Sequence, residues 1–396
     1  MLPFDDALRL ILESAPLMGS ERIAVGLGAG RVLAEELVAH TPLPTFDYSA
    51  MDGYAVHTSS FTSDGPQSLP VVGESRAGLS PPPLTPGTVC RIFTGAPIPD
   101  GADAVVMQED VARAGDSARF AARPAPGAHI RRRGEDLQQG ACALPRGTRL
   151  NPFQLGLAAA VDRSELLVAR RPRVTILCTG EELRVPGSPA MPGTIPESNG
   201  PALAALVRAA GGLPELAPRT GDSLEETERA LRAALRGSDL LLTVGGVSVG
   251  EHDLVRAALA NVGSALEFWK VQIKPGKPLA FGRFGDTLIL GLPGNPVSAQ
   301  LTFALFGMPL VRAMQGDRRP VPARSRVRLK SELRQKPGRT GFYRAVLDGD
   351  LALPATNQAS GSAASLAYAD GLLIVPADSS GYDAGASVEM IRLAEL

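Results

Sequence analysis

Only five of the chain's 40 basic residues are lysine, and three of them, Lys270, Lys274 and Lys277, fall within "KVQIKPGKP". An ammonium group is a compact point charge that fits a tight oxyanion pocket where the wide guanidinium fork does not. Lys274 and Lys277 are therefore candidate phosphate or oxyanion ligands, with a surface turn as the alternative. Three other stretches pair glycine with polar residues: "LCTGEEL", "TVGGVSVGEHD" and "GLPGNPVS". Glycines such as Gly245 and Gly246 let backbone N–H groups approach an anion, and a helix N-terminus that follows adds positive partial charge. Glu182, Asp222 and Asp253 lie past a strand pattern or ahead of a helix pattern. Singly, Asp222 and Asp253 also suit helix N-caps. Together at one sheet edge, the three acids suit a hard cation, Mg2+, bridging carboxylates and phosphates.

These residues need a scaffold. From Arg173 onward, apolar strand patterns ("RVTILCTG", "DLLLTVGG", "ALEFWKV", "PLAFGRF", "TLILGLPG") are interleaved with amphipathic helix patterns such as "GPALAALVRAAG", "SLEETERALRAAL" and "DLVRAALANVG". That alternation predicts an α/β layered domain with a mostly parallel sheet, and ligands of such sheets sit beyond the strands' C-terminal ends. Between Phe46 and Arg149, short apolar runs broken by Gly and Pro predict a β-rich lobe. "RVRLK", "FYRAVL", "LLIVP" and "SVEMIRL" predict a small β domain at the end. Residues 4–15 and "RVLAEELVA" read as helices, and helix resumes at Asn151.

Composition narrows the function. A net charge of −1 argues against a general nucleic-acid binder. Three scattered cysteines and four scattered histidines make neither a disulfide framework nor a zinc pattern. Of the basic clusters Arg131–Arg133, Arg170–Arg173 and Arg318–Arg328, a functional role is read only for Arg131. The 43 Gly and 34 Pro are spread along the chain and imply many short turns. The uncharged run Thr287–Val311 is long enough for a membrane span. However, "GLPGNPVS" interrupts it, so it reads as a buried strand, a tight turn and a core helix. With no signal peptide read at the start, a cytoplasmic protein without a membrane segment is expected.

"SAMDGYAV", "RIFTGAPIPDGADAVVMQED", "IRRRGEDL", "TGEEL", "GGVSVGEHD", "KPGKP" and "LPGNPVSA" follow one another across most of the chain. In this order they closely resemble the MoeA-type molybdopterin molybdenumtransferases, relatives of the E domain of gephyrin. The resemblance implies an α/β plus β multidomain fold. It comprises a discontinuous helical/linker domain (1–42 with 143–170), a β-rich lobe (43–142), a three-layer α/β/α molybdopterin-binding domain (171–317) and a C-terminal β-barrel (318–396). It further implies a homodimer whose active site is shared between the α/β domain of one subunit and the lobe of the other. The implied reaction joins molybdate to adenylylated molybdopterin with Mg2+ and releases AMP. A MogA-type adenylyltransferase and molybdenum cofactor acceptor proteins are the implied partners.

By motif, Asp52, Thr94, Asp136, Glu182, Asp222 and Asp253 resemble the family's catalytic set, the last three holding Mg2+. Arg131, Lys274 and Lys277 would clamp molybdate or phosphate, and Gly245, Gly246, Ser248 and Asn295 would line the substrate site. Pro293 and Pro296 would shape the turn beside it. Arg344 of "FYRAVL" and Ser360 of "NQASGS" would bind substrate from the terminal domain. The family often has Asp where this chain has Glu181, which leaves Glu181 and Glu182 as alternative metal ligands. A MogA- or CinA-type binding protein would share the α/β motifs but lack those of the lobe, and a pure scaffold would need a long linker or an added domain. Tungstate matches molybdate closely in size and charge and would suit the same pocket.

Overall fold

Five consecutive residues of the strand Arg173–Cys178 are buried, as are all five of Leu240–Val244 and all six of Thr287–Leu292. Strands with no solvent-facing side must be covered on both faces, the signature of an α/β/α sandwich. The computed structural model describes residues 1–219, 223–246 and 254–396, and it has this architecture. Six strands lie in the order Leu213–Leu216, Arg173–Cys178, Leu240–Val244, Thr287–Leu292, Pro278–Phe284, Ala265–Lys270. The first four are parallel, and Pro278–Phe284 runs antiparallel to both of its neighbours.

Alternate residues of each strand serve different layers. Ile176, Leu242 and Leu290 pack with helix Asn199–Ala209 and the long helical run Pro296–Met314. Leu177, Leu241 and Ile289 pack with helices Leu224–Leu235 and Leu254–Asn261. Pro296–Met314 is 19 residues long and apolar enough to cross a membrane, yet 89% of its apolar 18-residue window is buried in this core. Leu242, fully buried on the central strand, sets the stability of this layer. Leu242→Ala is expected to cost about 2–5 kcal/mol in a denaturant titration; a loss under about 0.5 kcal/mol would deny it that place.

The terminal segment closes into a five-stranded barrel: Thr340–Asp348, Leu351–Pro354, Ser325–Leu329, Ser387–Arg392, Gly371–Val375, and back to Thr340–Asp348. The lobe is a six-stranded sheet in the order Ala104–Met107, Gly53–Val56, Val89–Ile92, Gln67–Ser75, Ser117–Phe120, Val111–Ala114.

Two expectations change. "RVLAEELVA" is extended rather than helical. Leu33 N donates to Thr148 O, Ala34 N donates to Leu167 O, and Leu37–Val38 pairs with Cys142–Leu144. Val32, Leu33, Leu37 and Ala39 are buried there, so long-range pairing overrides a helical local preference. Together with strands Ser20–Ala24 and Glu165–Ala169 and helix Pro152–Ala160, this segment makes the linker region largely β. The first helix, Phe4–Glu13, packs not on residues 143–170 but in the main core. Its Phe4 ring stands 5.1 Å from Phe306 and 5.0 Å from Phe342, because its apolar stripe fits the gap between α/β layer and barrel.

Candidate active site

The parallel strands end together at Cys178, Val244 and Leu292, which are in register across the sheet. Each empties into a turn, and the turns are laced by backbone hydrogen bonds: Thr179 N to Val244 O, 3.0 Å, and Gly245 N to Leu292 O, 3.1 Å. Asn199 Nδ2 adds a bond to Gly294 O at 2.9 Å. Beyond these ends opens a cleft of about 650 Å³ lined by Thr179, Gly180, Glu182, Gly245, Gly246 and Pro293–Pro296, among others. Its size is that of a small-molecule site.

Gly245 and Gly246 have φ of 87° and 62°. A Cβ on Gly245 would stand 3.0 Å from Thr179 O, and one on Gly246 would stand 2.3 Å from Val255 Cγ2. Glycine is thus required here both by backbone conformation and by close approach. Pro296 opens its helix at a position suited to proline. Asn295, at the N-cap, turns its side chain outward instead: Nδ2 donates to Ser360 Oγ at 3.1 Å, while Val297 N donates to Ser360 O at 3.1 Å. A loop of the barrel thereby clasps the rim of the cleft.

Glu182 faces the cleft whereas Glu181 does not line it; the Glu182 carboxylate folds back over Gly180. Lys277 directly precedes Pro278, a cleft residue, and Lys274 lies three residues earlier; both lysines are exposed. Asp222, Ser248 and Asp253 lie outside the described residues. Among the described residues, no three His, Cys, Asp or Glu side chains gather as a metal site.

Arg344 is fully buried. Its Nη2 donates to Asn357 O (3.0 Å) and Ala359 O (3.2 Å), so in this conformation it shapes the loop carrying Ser360 instead of meeting the cleft itself. Sequence reasoning passed over Cys178, Asn199 and Ile195, all of which line the cleft. The polar triplet "ESN" at the head of a helix was the available signal for Asn199. Burial, with help from the neighbouring Glu197 carboxylate, pushes the Cys178 thiol up to about 12, so it stays protonated and is no nucleophile at neutral pH.

The lobe carries a second polar surface. Asp52 Oδ1 accepts from Thr94 N (2.7 Å) and Thr94 Oγ1 (2.9 Å), and these bonds hold its carboxyl below the ordinary range. The surrounding motifs meet here: Gly95 N donates to Ser49 O, Ala50 N donates to His129 O, and Ile130–Arg131 pairs with Tyr48–Ser49. Arg131 Nη1 is 2.7 Å from Glu135 Oε1, with Asp136 nearby and exposed. Arg91, also passed over, stacks on Tyr54 and Phe93 and donates to Gly53 O beside Asp52. Among the described residues, no hydrogen bond or ion pair joins these lobe residues to the cleft. The lobe is instead tied to the linker region, for example by Ala39 N to Ala141 O.

Three family models match the chain: the MoeA N-terminal region (domain I and II) over residues 2–161, a probable molybdopterin binding domain over 175–313, and the MoeA C-terminal region (domain IV) over 326–393. The chain is 41% identical over 361 residues to molybdopterin molybdenumtransferase 2 of Mycobacterium tuberculosis, covering 88% of this chain and 89% of that one. It is 32% identical over 406 residues to the molybdopterin molybdenumtransferase of Bacillus subtilis, covering 100% and 94%. The crystal structure of the molybdopterin biosynthesis moeA protein from Pyrococcus horikoshii superimposes with a TM-score of 0.87 at 30% identity, covering 99% of this chain and 100% of the other.

Proposed function

The chain belongs to the MoeA-type molybdopterin molybdenumtransferases, enzymes of molybdenum cofactor biosynthesis by molybdate insertion, and we propose that its substrate is adenylylated molybdopterin, cleaved with release of AMP. The observation that carries this reading is the convergence of three strand ends on one cleft, with Glu182 inside it and Lys274 and Lys277 on the chain that enters beside it. A phosphoanhydride and a tetrahedral oxyanion both call for positive charge and for N–H donors, and neither calls for a covalent nucleophile.

The roles follow from the chemistry. The Gly246 peptide N–H meets phosphate oxygens, the Gly245 N–H being bonded to Leu292 O, while Lys274 and Lys277 meet molybdate and the charge that develops as the P–O bond breaks. Magnesium suits the hard carboxylate oxygens of Glu182, a residue of the cleft lining; Asp222 and Asp253 would complete its ligands, and the ion would neutralise phosphate charge. Asp52, steadied by Thr94, stays ionised at neutral pH and orients the attacking oxygen, with Asp136 and Arg131 beside it.

The lobe residues act on the cleft of a second subunit in this reading. Support comes from the absence, among the described residues, of any hydrogen bond or ion pair between the two polar surfaces and from the uncovered apolar residues of the linker region, where Phe153 is 87% and Leu27 70% exposed. A MogA-type adenylyltransferase supplies the activated substrate.

The test is AMP release by the full chain from adenylylated molybdopterin, assayed with and without molybdate and Mg2+. Release should need both. Molybdenum insertion without AMP, or AMP release indifferent to molybdate, would overturn the reading.

A further inference from the structure

The geometry points to Tyr343 of the barrel as the residue that positions the Lys274 ammonium for its oxyanion. This rests on the reading of Lys274 as an oxyanion ligand and adds how the ammonium is held. Ile273–Lys274 is a two-residue strand that pairs in parallel with Thr340–Gly341, and Thr340 N donates to Gln272 O at 2.9 Å. The lysine is thereby fixed to the barrel, not to the sheet of its own domain.

Two residues further along that barrel strand, on the same face as Gly341, stands Tyr343. Its ring fills the space left by Gly341, where a Cβ would be 2.3 Å from Tyr343 Cε2 and 2.4 Å from Gln335 Oε1. The phenol hydroxyl donates to Gln335 Oε1 at 3.2 Å, and Gln335 Nε2 is itself held by Pro376 O and Ser379 O. These contacts hold the ring in place, and Lys274 Nζ lies over it, 5.5 Å from the centroid. A ring face attracts an ammonium without neutralising it as a carboxylate would. Lys274 has no ion-pair partner among the described residues, so its full charge remains for an incoming anion.

The experiment compares Tyr343→Leu, Tyr343→Phe, Gln335→Ala and Lys274→Ala in the full chain, measuring kcat and KM for molybdate and for adenylylated molybdopterin, together with thermal midpoints. Tyr343→Leu should raise the molybdate KM about two- to fivefold, leaving kcat and the other KM within about twofold. Tyr343→Phe, which keeps the ring face but loses the hydroxyl's bond to Gln335, should raise the molybdate KM less than Tyr343→Leu does. Gln335→Ala, which frees the ring without hollowing the barrel, should move the molybdate KM in the same direction, and it stands in for Tyr343→Leu if that variant does not fold. If Lys274→Ala raises the molybdate KM but Tyr343→Leu does not, or if Tyr343→Phe is as impaired as Tyr343→Leu, the positioning role is wrong. If Lys274→Ala leaves the molybdate KM unchanged, the oxyanion reading of the lysine fails, and this inference with it.

Discussion

Mixing an Asp52→Ala subunit with a Lys277→Ala subunit should restore activity that neither variant has alone. Asp52 stands on the lobe, bonded to Thr94, and Lys277 directly precedes Pro278 in the lining of the α/β cleft. If the working site combines the lobe of one subunit with the cleft of another, each variant homodimer carries two crippled sites, and its AMP release should fall below about a tenth of wild type. A mixed dimer holds one doubly altered site and one intact site. Random exchange makes about half the dimers mixed, so the mixture should recover roughly a quarter of wild-type activity. Activity no greater than the mean of the two homodimers would place all the chemistry within one subunit.

The second large effect is expected at Gly246. Valine there would have to take a φ near +62° and bring its Cβ to 2.3 Å from Val255 Cγ2. The backbone conformation alone costs a β-branched residue on the order of 1–3 kcal/mol, and the collision adds to it. Relief comes from moving the turn, which carries away the N–H group meant for the phosphate. Gly246→Val should therefore lower AMP release by roughly 100-fold or more, with a smaller drop in melting temperature. Turnover within about twofold of wild type would show that this turn does not touch the reacting phosphate.

The α/β domain was legible because its signals are local. Unbroken apolar runs such as "LLLTV" and "TLILGL" announce strands buried on both faces, and the glycine turns at their ends announce where a ligand approaches. The lysine window stood out by chemical type alone. What escaped was set by distant partners. "RVLAEELVA" carries helix-forming residues, yet Leu33 and Leu37 find their partners more than a hundred residues away, at Val168 and Leu144. Arg344 matches a substrate-binding motif, but only the surrounding barrel shows its guanidinium turned inward to the loop it shapes. The lobe motifs marked polar turns, and nothing in their spacing says which face they would serve. Arg91 sits inside a recognised motif and was missed because its contacts, the Gly53 carbonyl and the rings of Tyr54 and Phe93, are set by sheet pairing that the motif does not spell out.

Gln272 to Lys274 belong by sequence to one fold and by peptide pairing to another. No cut can therefore release the barrel cleanly: excising it would strip the lysine hairpin of its backstop and expose unmated amide and carbonyl groups beside the cleft. A transplant of the α/β unit into a foreign protein would have to bring along a substitute for the rung at Thr340–Gly341.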